Sequence, residues 1–89
     1  MSKTHYIVTA KLQNTPGVLA RITILFRKFN VNIQAVDASP IDEKENFHEI
    51  HFVLETTKTD NEFEIVMKKL ARLIPVIEVR YLKQPKLIQ

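Results

Sequence analysis

An α+β domain with the element order β-α-β-β-α-β is predicted by three features: two amphipathic helical runs, four segments of strand character around them, and a capping box opening the second helix. The first helical run follows Asn14-Thr15-Pro16-Gly17, which holds the only glycine of the 89 residues. That junction is where a ligand is expected. A helix start carries unpaired amides and the positive end of the peptide dipole, and both favour a small anion or carboxylate. Asn-Thr-Pro-Gly is also an ordinary turn and helix start, so the motif alone does not establish a site.

Thr4 to Leu12 alternates, with Tyr6, Val8, Ala10 and Leu12 on one face and His5, Thr9 and Lys11 on the other, broken by Ile7. It reads as a half-buried strand. From Pro16 to Phe29, Val18, Leu19, Ile22, Leu25, Phe26 and Phe29 fall on one helical arc, with Arg21, Arg27 and Lys28 opposite. Pro16 suits the first helical position, and Thr15 or Asn14 is the expected cap. Gly17, without a Cβ, allows a close approach to the backbone. Ala20 and Ile24, four residues apart on the polar side, make a small contact spot.

Asn30 is expected to end this helix in the left-handed conformation. Val31 to Ala38 follows as a strand of poor alternation, Ile33 and Ala35 on one face and Val36 and Ala38 on the other, stopped by Pro40. Ile41 to Asn46 is a charged loop, and Phe47 to Glu55 is a strand with Ile50, Phe52 and Leu54 inward. Thr59 and Glu62 make the capping box. Phe63, Val66, Met67, Leu70, Leu73 and Ile74 line the second helix, which Pro75 closes. Val76 to Leu82 is the last strand. The result is one ferredoxin-like sandwich over residues 1–82, two helices on one face of a four-stranded antiparallel sheet, with 83–89 as a tail.

Apolar residues make up 45% and charged residues 26%, the balance of an ordinary globular chain. With no cysteine, disulfides, thiolate chemistry and Cys-based metal sites are excluded. Neither a signal peptide nor a membrane span is visible, so a cytoplasmic location is expected and no membrane partner. The net charge of +3 raises the question of nucleic acid, but the basic residues form no run longer than two. No nucleic-acid partner is expected, since the aromatic residues of an RNA-reading sheet are also missing.

His48 and His51, three apart on a strand, point to opposite faces and cannot share a metal ion. Asp42, Glu43 and Glu45 lie in a solvated loop rather than as a buried acid–base pair. No catalytic triad or phosphate loop is present. A non-catalytic chain with no metal and no cofactor of its own is expected.

One resemblance covers nearly the whole chain. Asn14-x-Pro16-Gly17-Val18-Leu19-x-Arg21-Ile22-Thr23-x-Leu25-Phe26, then Val31-Asn32-Ile33-x-x-Val36, then Pro40, and later Lys69-Leu70-x-x-Leu73-Ile74-x-Val76-Ile77-x-Val79, resembles the ACT domain of the acetolactate (acetohydroxyacid) synthase small regulatory subunit, in its short single-domain form. The resemblance implies a dimer that binds a branched-chain amino acid, usually valine, between two ACT domains. It also implies a large catalytic subunit as partner, carrying thiamine diphosphate, magnesium and FAD, which the small subunit activates and makes sensitive to feedback. Carried onto this sequence, the effector-binding residues are Asn14, Gly17 and Asn32, with Pro16 in the same loop and Ser39 before Pro40. The backbone amides around Gly17 and Val18 would take the carboxylate, and Leu19 and Ile33 the aliphatic side chain. Ser39 and Asp37 depart from the family pattern. The alternatives are an ACT module acting by protein contact alone, as at the end of a guanosine tetraphosphate synthetase, and a basic nucleic-acid-binding domain.

Overall fold

The computed structural model describes residues 3–84. Its elements are β1 (Thr4–Gln13), α1 (Val18–Lys28), β2 (Asn32–Asp42), β3 (Phe47–Thr56), α2 (Asp60–Arg72) and β4 (Val76–Lys83). The strands form one antiparallel sheet in the order β2-β3-β1-β4, so β1 and β3 are central and β2 and β4 are edges. This is the expected ferredoxin-like architecture.

The alternation in the sequence decides which face is covered. Tyr6, Val8, Ala10 and Leu12 of β1 and Ile50, Phe52 and Leu54 of β3 are buried beneath Val18, Ile22 and Phe26 of α1 and Phe63, Val66, Met67 and Leu70 of α2. Phe26 meets Phe52 edge to face at 5.3 Å, and Tyr6 stacks on Phe63 at 3.7 Å. These two aromatic pairs pin each helix to a different central strand.

The end of α1 and the start of α2 are built as expected. Asn30 adopts φ 58°, and the N–H groups of Asn30 and Val31 donate to the carbonyls of Arg27 and Phe26 at 3.2 and 2.9 Å. That is a Schellman ending, with Val31 buried beside Phe26 as its apolar contact. At the start of α2, the Thr59 hydroxyl accepts from the Glu62 N–H (3.2 Å) while the Thr59 N–H donates to the Glu62 carboxylate (2.8 Å).

Four expectations are corrected. Pro40 does not stop β2, which runs on to Asp42 and takes in Ile41 and Asp42 from the expected loop. An edge strand tolerates a missing donor, and the register breaks just after Pro40. The poor alternation of β2 comes from a second break at Gln34. Ile33 pairs with Leu54 and Ala35 with Val53, so Ile33, Val36 and Ala38 share the helix-side face while Ala35, Asp37 and Ser39 take the other. Ile74 is 80% exposed rather than on the buried arc, because α2 ends at Arg72 and Leu73 leaves the helical path. Finally, Lys83 belongs to β4 and Gln84 donates its N–H to the His5 carbonyl at 2.8 Å. The rest of the expected tail, 85–89, lies outside the described residues.

Candidate functional site

The first loop folds as a type II turn. The Val18 N–H donates to the Thr15 carbonyl (3.3 Å), with Pro16 at the second position and Gly17 at the third with φ 82° and ψ −4°. Pro16 therefore precedes the helix instead of opening it, and Gly17 is the cap, with no side-chain cap from Thr15 or Asn14. The glycine is needed for its left-handed backbone. A methyl group there would meet no atom within 4 Å, so the space above Gly17 is open.

This geometry leaves donors free. The first bond into the helix runs from the Arg21 N–H to the Gly17 carbonyl at 3.0 Å. The amides of Gly17, Leu19 and Ala20 have no partner among the described residues, and the first turn contains no acidic side chain. Unopposed amides and the helix dipole give the site a positive character without any formal charge. They edge a depression of about 430 Å³ lined by Asn14, Thr15, Pro16, Gly17, Leu19 and Ala20, the size of a small-metabolite pocket.

Two neighbouring loops hold this one in place. The Asn14 N–H donates to the Asn46 carbonyl (2.8 Å), the Asn46 side-chain amide donates back to the Asn14 carbonyl (2.6 Å), and the Gln13 amide reaches the Glu45 carbonyl (3.1 Å). From the α2–β4 connection, the Pro75 carbonyl accepts from the Gln13 N–H (3.3 Å) and the Ile74 carbonyl from Arg21 (2.6 Å).

The expected site residues separate into two groups. Asn14, Pro16, Gly17 and Leu19 come together, and Leu19 is 41% exposed at the pocket instead of sealed in the core. The Val18 side chain is buried and its amide is used by the turn, so the amides without a partner among the described residues next to it are those of Leu19 and Ala20. Asn32 and Ile33 lie at the far end of the sheet: Asn32 pairs with Glu55, which pairs with His5, whereas Asn14 follows Gln13. At about 3.3 Å per residue, His5 and Gln13 are roughly 25 Å apart along β1. Ser39 pairs with Glu49 and shares its helix-free face, away from the pocket. Sequence reasoning did not assign Thr15 or Ala20 to the site. Ala20, one turn after Gly17, carried a helical signal; the brace from Asn46 carried none.

Titratable groups displaced from their ordinary values lie elsewhere. Burial, and then the hydrogen bond to Asp60, pushes the Tyr6 phenol up, while that bond and Lys83 at 3.1 Å hold the Asp60 carboxyl down. Partial burial raises the Glu55 carboxyl, but Lys3 (3.3 Å) and His5 (3.0 Å) outweigh it and leave it below the ordinary range. The Thr59 backbone N–H and hydroxyl hold Glu62 down. Each shift belongs to a cap or an ion pair of the fold, and none to an acid–base pair at the pocket. His51 contacts Glu49 and Thr9 on the helix-free face, and His48 faces the other way, its Nδ1 buried without a partner among the described residues. Among the described residues no group of three potential ligands gathers for a metal, and no helix is long and apolar enough to cross a membrane.

Solved structures with this fold include the C-terminal domain of the MgtC protein from Mycobacterium tuberculosis (14% identity, TM-score 0.75, covering 91% of this chain and 87% of that one). Others are the ACT domain of a GTP pyrophosphokinase from Chlorobium tepidum (18%, 0.72, 91% and 100%) and an uncharacterized protein from Thermotoga maritima (21%, 0.70, 94% and 100%). At these identities the likeness concerns the fold. No curated protein matches the chain significantly. The family model for the AHAS small subunit-like ACT domain, AHAS being acetohydroxyacid synthase, matches residues 10–78, which include the whole pocket loop. With more than half of its length matched, this chain belongs to the AHAS small subunit-like ACT domain family.

Proposed function

We propose that this chain is a non-catalytic regulatory subunit that binds a branched-chain amino acid, valine first among them, between two copies of itself and so controls an acetohydroxyacid synthase catalytic subunit. The observation that carries the reading is the type II turn at Thr15–Val18. Among the described residues it leaves the amides of Gly17, Leu19 and Ala20 free beside an open pocket, with no competing carboxylate in the first helical turn. An amino-acid carboxylate is complementary to those amides. The exposed Asn14, which lines the pocket, would take the ammonium group, and Leu19 the aliphatic side chain.

The separation of Asn32 from Asn14 favours a site built from two chains. β2 is an edge strand, and on its helix side Val36 is 50% exposed with Ala38 beside it. An antiparallel pairing of β2 with its copy, centred near Asp37, would carry the partner subunit's Asn32 and Ile33 to the end where Asn14 lies. It would also cover the exposed edge. Asp37 and Ser39 would then sit in the middle of the seam.

Titration calorimetry with valine, leucine and isoleucine, beside a sedimentation measurement of mass, tests this reading. Saturable heat with one of the three, and a several-fold drop in affinity for its D-enantiomer, is expected. A folded dimer that gives no heat with any of them, alone or with the catalytic subunit present, overturns the effector role and leaves an ACT module that acts through protein contact.

A further inference from the structure

The face of the sheet without helices carries an apolar row that crosses all four strands. Ala35 of β2 pairs with Val53 of β3, Val53 with Ile7 of β1, and Ile7 with Leu82 of β4. The four side chains therefore stand side by side. Leu82 is 68% exposed and Ala35 is also exposed. The rows on either side are polar, Asp37-His51-Thr9-Arg80 on one and Asn32-Glu55-His5 on the other.

Charge on this face is segregated by strand. The acids Asp37, Glu49 and Glu55 belong to β2 and β3, and the bases His5, Lys11 and Arg80 to β1 and β4. Glu78 of β4, in the row of Ser39, and His51 of β3, in the row of Asp37, are the exceptions. A face of this kind is complementary to itself. If two copies stack sheet to sheet about a two-fold axis parallel to the strands, between β1 and β3, each β3 lies over the partner's β1 and each β2 over the partner's β4. Every row then faces itself reversed. Glu49 meets Lys11, Asp37 meets Arg80, Glu55 meets His5, Val53 meets Ile7, and the smallest member of the apolar row, Ala35, meets the exposed Leu82. The other in-plane two-fold, along the apolar row, sets Asp37 against Asn32 and loses these matches.

We infer that the helix-free sheet face is an interface for a second copy of this chain, stacked face to face with Ala35, Val53, Ile7 and Leu82 at its centre. Four strands and four rows span about 20 by 25 Å, so the stack buries roughly 1,000 Å² over both copies, at the lower bound for a specific interface. Stacked sheets rotate by about 30°, which offsets the corners and puts most weight on the central matches of β1 with β3. The surface lies on the helix-free face, and Leu82, on β4, is at the other edge of the sheet from β2, so the Leu82→Asp test is independent of the effector reading; Asp37, on β2, is near both the face and the β2 seam. Used together, the edge and the face give a tetramer.

Sedimentation of the full chain, wild type against Leu82→Asp, tests the inference. The wild-type particle is expected to have twice the mass of the variant. Asp37→Arg and Arg80→Asp are each expected to halve the mass, and the double variant to restore it, which a merely structural role for either residue does not produce. Circular dichroism checks that each variant is folded, and calorimetry with valine is expected to be unchanged by Leu82→Asp. Equal mass for wild type and folded Leu82→Asp overturns the inference, as does a double variant that stays at half mass. A different protein as the natural occupant gives the first of these results.

Discussion

Asn14 and Asn46 are joined twice: the Asn14 N–H donates to the Asn46 carbonyl at 2.8 Å, and the Asn46 side-chain amide donates to the Asn14 carbonyl at 2.6 Å. Thirty-two residues apart in sequence, they fasten the β2–β3 turn to the loop that opens the pocket. Asn46 also sits at φ 59°, a left-handed conformation that asparagine and glycine accept more readily than other residues. Asn46→Gly keeps that backbone and removes only the side-chain bond. It is expected to reduce stability by about 1 kcal/mol and effector affinity several-fold, since the loop loses one of its anchors. Asn46→Ala adds backbone strain and should unfold at lower urea than Asn46→Gly. Urea denaturation and calorimetry read the two effects; unchanged affinity in Asn46→Gly would show that the brace does not shape the pocket.

Gly17 separates conformation from contact. At φ 82° an alanine is strained by about 1–2 kcal/mol, although its methyl group meets nothing within 4 Å. Asparagine tolerates the same region at lower cost. Gly17→Asn is therefore expected to fold nearly as stably as wild type while filling the open space above the amides, and to bind its effector at least tenfold more weakly. Gly17→Asp adds a negative charge where a carboxylate would rest and should abolish the calorimetric signal. Wild-type affinity in either variant moves the site away from this turn.

Much of this was legible because local rules and tertiary packing agree. The alternation of Tyr6 to Leu12, the Thr59–Glu62 box and the ending at Asn30 all use short-range physics that needs no partner from elsewhere in the chain. The stop at Pro40 and the faces of β2 differ from the expectation for another reason. Whether a proline ends a strand depends on whether that strand is at an edge, and whether alternation fails or merely shifts phase depends on a bulge; both are properties of the neighbouring strand. Gly17 was singled out for the close approach that a missing Cβ allows, whereas the structure requires a glycine there for its left-handed turn. Asn32 and Asn14 fall close together in the family pattern but at opposite ends of one sheet, a separation no linear pattern displays.

Tyr6 and Asp60 act on stability at opposite ends of the pH scale. The phenol is raised above its ordinary value of 10.0, so the protonated form is favoured in the fold; its contribution is complete below pH 10 and is lost as pH rises beyond that. Asp60 is lowered from 3.8, so its contribution is present above that value and is lost as pH falls through it toward the folded value. Tyr6→Phe removes the hydrogen bond between them. Its melting temperature is expected to be lower than wild type at pH 7, with the gap closing both above pH 10 and below pH 4. A constant gap across the whole range would mean that the loss is one of packing against Phe63 alone.

The two-chain site makes a prediction that a one-chain site does not. If the amides of one subunit and Asn32 of the other complete each pocket, Gly17→Asp and Asn32→Ala homodimers each lose binding, because every pocket carries one defect. In a mixed dimer of the two variants, one pocket collects both defects and the other has neither. Calorimetry of the mixed dimer, isolated with two different affinity tags, is expected to give near wild-type affinity with half the wild-type stoichiometry. If Asn32 instead served the pocket of its own chain, each chain would still carry its own defect after mixing and no binding would return. Recovery at half stoichiometry therefore reports which chain supplies Asn32, a question that the roughly 25 Å between the two ends of β1 makes decisive.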